Sequence, residues 1–239
     1  MGENFKKGIR HGIPIALGYL SVSFSFGIMG ARGGLSVLQT VLISMTNVTS
    51  AGQLAGLELM LASAPLYEMA LTQLIINLRY ALMSLSLSQK LDKSMTTLHR
   101  MLFAFCNTDE VFAVASGQSG DVGKSYLYGL ILTPYFGWAI GTALGAAAGS
   151  LLPAIVRDAL GVAIYGMFIA IVIPPSRKNK AVLTAVVLAG ILSCLFYYLP
   201  RLFSFLPEIS SGFTIIICAV AVSAFCAWKF PIETEESGS

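Results

Sequence analysis

Several stretches of this chain run for about twenty residues with few charged side chains, and that fixes the solvent it can fold in. Ile13 to Ala31, Tyr67 to Gln89, Ser125 to Leu151 and Ala181 to Leu199 approach or exceed the ~20 residues a helix needs to cross hydrocarbon. Only 11% of the residues are Asp, Glu, Lys or Arg, against about 25% in an ordinary soluble domain. A globule of this size could not clothe its surface with so little charge. Backbone facing lipid must find its hydrogen bonds within its own segment, so helices or a closed barrel are the options. The apolar runs are continuous rather than alternating, which selects helices.

The net charge is +3. Basic residues cluster beside apolar runs, a pattern that orients a chain in a membrane rather than one that grips nucleic acid. Cys106, Cys194, Cys218 and Cys226 form no CxxC and lie in apolar surroundings, as buried small hydrophobes do. His11 and His99 sit far apart in polar flanks, so no metal site or other cofactor is expected. The first residues run straight on into an apolar segment without a small-residue cleavage site, so they read as a retained membrane helix rather than a leader.

The expected fold is all-α and polytopic, with about six spans and two discontinuous, re-entrant segments. The spans are Ile13–Ala31, Tyr67–Gln89, Ser125–Leu151, Asp158–Ile173 ended by Pro174-Pro175, Ala181–Leu199 ended by Pro200, and Ile209–Trp228. Residues 1–12 form a cytoplasmic segment, 13–230 a single transmembrane domain, and 231–239 a polar, disordered tail. One interrupted stretch is Leu35 to Ser63, with Asn-Val-Thr-Ser-Ala-Gly-Gln at its centre. The other is Met101 to Ser116, with Asn107, Thr108, Asp109 and Glu110 at its centre. Polar, breakable backbone at membrane depth is tolerated where protein covers it or water reaches it.

Charge decides whether these stretches cross. If both dip and return, eleven of the fifteen Lys and Arg fall on the side of the N-terminus. Arg32, Arg157 and Arg201 then fall outside and Arg79 within the membrane. If both cross, Lys90, Lys93 and Arg100 change sides and the asymmetry nearly vanishes. The first arrangement obeys the positive-inside rule and puts both termini in the cytoplasm. The two dips then enter from opposite faces, as discontinuous helices do in secondary transporters.

Three motifs could carry chemistry. Asn47, Thr49, Ser50, Gly52 and Gln53 weaken the first dip as a helix. Unwound backbone and a half-helix N-terminus suit a carboxylate, while Gly52 and Gly56 are also spaced for helix packing. Asn77 and Arg79 lie deep in the second span, where a charge costs about 2.5–3.5 kcal/mol. Arg79 therefore needs a partner: substrate carboxylate, Asp109 or Glu110, or a purely structural ion pair. Asp109 and Glu110 are adjacent carboxylates in an apolar setting, which suits proton coupling or an ammonium group. Asp109 could instead be the N-cap of a half-helix starting near Glu110.

Gly141, Gly145 and Gly149 form a close-packing ridge, against this chain or a partner. Glu58 and Glu68 flank a turn around Pro65 and are placed at the membrane interface. Arg157 and Asp158 read as a surface ion pair and an N-cap. Trp138, Trp228, Tyr197 and Tyr198 fit packing or the aromatic belt. No nucleotide loop, zinc motif or hydrolase elbow is present, so enzyme function is not expected.

The ordered motifs GIPIALGYLSVSFSFG, TSAGQLAGLELM, NLRYALMSLSLSQKL, TDEVFAVA, YGLILTPYFGWAIGTALGAAAG and GVAIYGMFIAIVIPP resemble the AzlC-type branched-chain amino-acid permeases. The resemblance runs from Phe5 to about Phe230. It implies a bacterial plasma-membrane protein that moves valine, leucine, isoleucine or analogues, as an exporter, beside a small hydrophobic AzlD-type subunit. Many members open the fourth span with Leu-Asp-Phe-Ala, where this chain has Arg-Asp-Ala-Leu. Substrate is expected near the midplane between the dips. Rival readings are a channel or facilitator lined by the same polar segments, and a membrane scaffold without transport.

Overall fold

Among the described residues the long apolar runs are helical. A computed structural model describes residues 2–93, 95–148, 172–203 and 207–231, with Pro153, Ile155, Gly166 and Ile169. Its helices are α1 (Gly2–Arg32), α2 (Val37–Thr46), α3 (Ser50–Leu61), α4 (Leu66–Ser88), α5 (Thr97–Phe105), α6 (Asp109–Ser116), α7 (Lys124–Ala148), α8 (Lys180–Leu202) and α9 (Ser211–Lys229). Residues 172–178 are also helical. The protein is an all-α, polytopic membrane protein. Among the described residues α1, α4, α7, α8 and α9 are long and apolar enough to span a bilayer. The expected span Asp158–Ile173 falls largely outside the described residues, as do Arg157, Gly149 and the tail beyond Pro231.

Both interrupted stretches are broken helices, and the breaks are built alike. In the first, α2 stops at Thr46 and Asn47 caps it, its N–H bonding Ile43 O at 2.9 Å. The helix restarts after Thr49, whose Oγ1 accepts the Gly52 N–H at 3.4 Å. In the second, α5 stops at Phe105 and α6 restarts after Thr108, whose Oγ1 accepts the Val111 N–H at 3.4 Å. Each threonine supplies an acceptor to a first-turn N–H that has no helical carbonyl to bond. Thr108 is thus the N-cap, the role that one of the two sequence readings offered to Asp109. Asp109 occupies the first helical position, where its charge complements the positive end of the helix.

Three boundaries differ from expectation. α1 begins at Gly2, far before Ile13, because Gly8 and Gly12 are buried against α7 and hold the basic N-terminal turns in the fold. Pro174 and Pro175 lie within the helical residues 172–178. The chain breaks instead at Asn179, whose Oδ1 accepts the N–H groups of Ala181 at 2.8 Å and Val182 at 3.4 Å to start α8. Pro200 sits inside the last turn of α8, which ends when the Phe203 N–H closes on Leu199 O at 2.8 Å.

Two compact units divide the chain: Met1–Leu57 with Asn77–Tyr165, and Glu58–Ile76 with Gly166–Ser239. The first is organised on α1 against α7. A Cβ on Gly141 would strike Leu20 O and Ser23 Oγ, and one on Gly145 would strike Phe24 O. Gly141 and Gly145 therefore pack within the chain, backbone on backbone, as small residues permit between helices in lipid. Leu127, Leu130 and Ile131 of α7 form a core with Phe103 of α5 and Val111 and Ala115 of α6.

In the second unit α9 begins on the first turn of α4. Ser210 is the N-cap of α9 and donates its hydroxyl to Glu68. Glu68 is only 3% exposed, covered by protein at the first turn of α4. The positive end of α9 gives its charge a favourable setting. Apolar side chains left outside, such as Leu183, Val187, Ile191 and Leu195 on α8, supply the face that lipid requires.

Replacing Gly141 by Val should destabilise the protein by about 1–3 kcal/mol, the usual penalty for overpacking. Gly18→Val, where a Cβ meets nothing within 4 Å, is the control. Thermal unfolding in nanodiscs reads both. Equal midpoints for the two variants would contradict the packing described.

Candidate functional site

The two breaks meet within the first unit. Around them lies a cavity of about 200 Å³, lined by Thr46, Asn47, Val48 and Thr49, by Asn77 and Tyr80 of α4, and by Ala104, Phe105 and Asn107. That is smaller than the ~300 Å³ at which pockets for drug-sized ligands begin, and suits a small solute. None of these side chains carries a formal charge.

Beside the cavity a chain of polar contacts ties one break to the other. Arg79 Nη1 pairs with Asp109 Oδ2 at 2.8 Å. Arg79 Nη2 donates to Tyr80 OH at 3.0 Å, and its guanidinium lies 4.8 Å from that ring's centre. Tyr80 OH donates onward to Thr49 Oγ1 at 3.2 Å. The partner required by Arg79 is therefore Asp109, at the start of the second half-helix. The pair is not sealed: the side chains are 47% and 45% exposed. Glu110 turns elsewhere and accepts the hydroxyl of Tyr19 on α1.

Behind this layer lies a buried network. Tyr19 meets Trp138 edge-on at 5.1 Å. Trp138 Nε1 donates to Gln53 Oε1 at 3.0 Å, and Gln53 Nε2 donates to Ser44 Oγ at 2.6 Å. Ser44 Oγ in turn bonds Thr142 Oγ1 at 2.6 Å. Gln53 is fully buried, with both ends of its amide engaged by the core. It fixes α3 to α2 and α7 rather than facing the cavity.

A family model described as AzlC protein matches residues 14–152, more than half of the chain. The chain belongs to the AzlC family. The matched stretch contains both breaks, Arg79, Asp109 and every cavity residue. This AzlC chain is 28% identical over 197 residues to the inner membrane protein YgaZ of Escherichia coli strain K12, covering 79% of this chain and 80% of that one. It is 33% identical over 184 residues to an uncharacterized membrane protein of Archaeoglobus fulgidus, covering 76% and 80%. An uncharacterized membrane protein of Helicobacter pylori strain 26695 is 28% identical over 150 residues, covering 61% and 64%. No solved structure matches the chain.

Of the residues singled out in this AzlC sequence, Asn47, Thr49 and Asn77 line the cavity. Ser50 opens α3 directly after it. Arg79 and Asp109 form the pair at its side. Tyr19, Tyr80 and Asn107 were not assigned binding roles from sequence. Tyr80 follows Arg79 directly, and Asn107 heads the motif that holds Asp109, so position in the motifs was the only signal available.

Two outcomes follow from this layout. Asp109→Asn should abolish transport, read as loss of solute flux in proteoliposomes, while the protein stays folded; undiminished flux would remove Asp109 from the mechanism. Gln53→Leu should lower stability by about 1–3 kcal/mol, because the Trp138 N–H is left buried without its acceptor. Unchanged thermal unfolding would contradict the core role given to Gln53.

Proposed function

We propose that this AzlC-family protein is the large subunit of a branched-chain amino-acid permease. In this reading it exports valine, leucine, isoleucine or their analogues across a bacterial plasma membrane, beside a small AzlD-type subunit, with both termini cytoplasmic. The observation that carries it is the uncharged cavity where two broken helices meet. A cavity without formal charge favours a net-neutral solute over a cation or an anion. A zwitterion meets that requirement, provided each of its charges finds a local partner.

The partners are at hand. α3 starts at the cavity wall, and its first-turn N–H groups at Ser50 and Ala51 have no carbonyl within their own helix to bond. With the positive end of the helix behind them, they suit the substrate carboxylate. Val48, Ala104 and Phe105 provide apolar wall for an aliphatic side chain. Arg79 and Asp109 hold the two breaks in register at one side. Their partial exposure leaves them able to exchange partners as the site opens, with the hydrogen-bonded Glu110 and Tyr19 as a second polar pair.

Counterflow in proteoliposomes across the twenty amino acids, with and without the small subunit, tests the proposal. Leucine, isoleucine and valine should exchange best and saturably. Flux that never saturates favours a facilitator, and absence of flux and binding in both preparations favours a scaffold.

A further inference from the structure

Asn107 stands between two cavities. On one side is the polar space of about 200 Å³ described above. On the other is a space of about 380 Å³ between α4 and α5, whose surface is largely apolar, with Leu85, Leu91, Met101 and Phe103 in its wall and Ser84 and Arg100 also lining it. Asn107 and Ala104 line both. The asparagine is 3% exposed. Its Nδ2 donates to Ser84 Oγ at 3.1 Å, which fixes the plane of the amide. Its Oδ1 is buried and accepts no hydrogen bond.

A buried carbonyl oxygen without a donor costs about as much as a lost hydrogen bond, and few such groups persist in native structures without a reason. Here the amide nitrogen is already committed, so the orphan is an acceptor only. What it lacks is a donor, and the wall it belongs to faces a site read above as taking amino acids. Asp109, two residues on in the same motif, is occupied by Arg79.

We propose that Asn107 Oδ1 receives the ammonium group of the bound amino acid. Its aliphatic side chain then passes over Ala104 into the apolar space between α4 and α5. This rests on the permease reading and adds to it a division of labour: head group in the polar cavity, side chain in the apolar one, and Asn107 at the junction. Ser84 orients the amide through its hydroxyl and stands at the edge of the apolar space. Ala104, whose side chain is small, lines both spaces at the partition.

The test is leucine binding to the protein in nanodiscs by titration calorimetry, together with thermal unfolding. Asn107→Leu keeps the size and removes the acceptor; it should weaken leucine binding ten- to hundredfold, as expected for a hydrogen bond to a charged group. Asn107→Asp keeps an acceptor in place and should bind leucine at least as well as the parent. Unweakened binding in Asn107→Leu, or equal loss in both variants, overturns the role of Asn107. The unaltered protein offers an arm that needs no variant to fold. There 4-methylpentanoate, which has the carboxylate and side chain of leucine but no ammonium, should compete at least tenfold more weakly than leucine. Equal competition overturns the inference and leaves the permease reading standing. No leucine binding by the unaltered protein, alone or with its small subunit, overturns both.

Discussion

A helix broken inside hydrocarbon leaves up to four donors and four acceptors without helical partners, and with no water to bond them each costs several kcal/mol. This chain breaks two helices at polar centres, between Thr46 and Ser50 and between Phe105 and Asp109. Much else in the first unit answers that constraint. Thr49 and Thr108 each give a hydroxyl oxygen to the third N–H of the following helix. Asp109 adds charge at the positive end of α6. Tyr135 donates to Met45 O at 3.1 Å, meeting a carbonyl at the end of α2. The polar cavity between the breaks is the remaining place where backbone groups find solvent or a solute.

Breaks can only form one site if they are held together, and the link between them is short. Asp109, Arg79, Tyr80 and Thr49 follow one another by single hydrogen bonds or an ion pair. Tyr80 stacks under the guanidinium and bonds at both ends of its hydroxyl, so one aromatic residue converts a local ion pair into a tie across the site. Placing Arg79 in the middle of α4 is costly on insertion scales, and a purely structural tie could have been made from neutral groups. A half-exposed ion pair, by contrast, can release either partner when the surroundings change.

Five of the spans and both breaks were legible in the sequence because they depend on local composition: apolar runs, and clusters of Asn, Thr, Ser and Gly inside them. The need of Arg79 for a carboxylate followed from the cost of an unpaired charge. The α1–α7 ridge was visible as spaced glycines, but not its partner, since small residues pack equally well on any close helix. Three kinds of feature could not be read. Choosing Thr108 over Asp109 as the cap depends on a single residue of helix phase. The fates of Gln53 and Glu68 depend on tertiary neighbours, Trp138 and Ser44 for one and Ser210 for the other, far away in sequence. Proline misled twice, at Pro174-Pro175 and Pro200, because helical turns run through these residues and the breaks fall beyond them.

In this AzlC-family fold both breaks open on one shared cavity. The most direct measurement is thiol labelling of single cysteines at Val48 and at Ala104, on a background lacking Cys106, Cys194, Cys218 and Cys226. These positions line the same cavity from different breaks. A small, membrane-impermeant thiol reagent should modify both, and saturating leucine should protect both over the same concentration range. Inert thiols at either position, or protection confined to one of them, would contradict a common cavity.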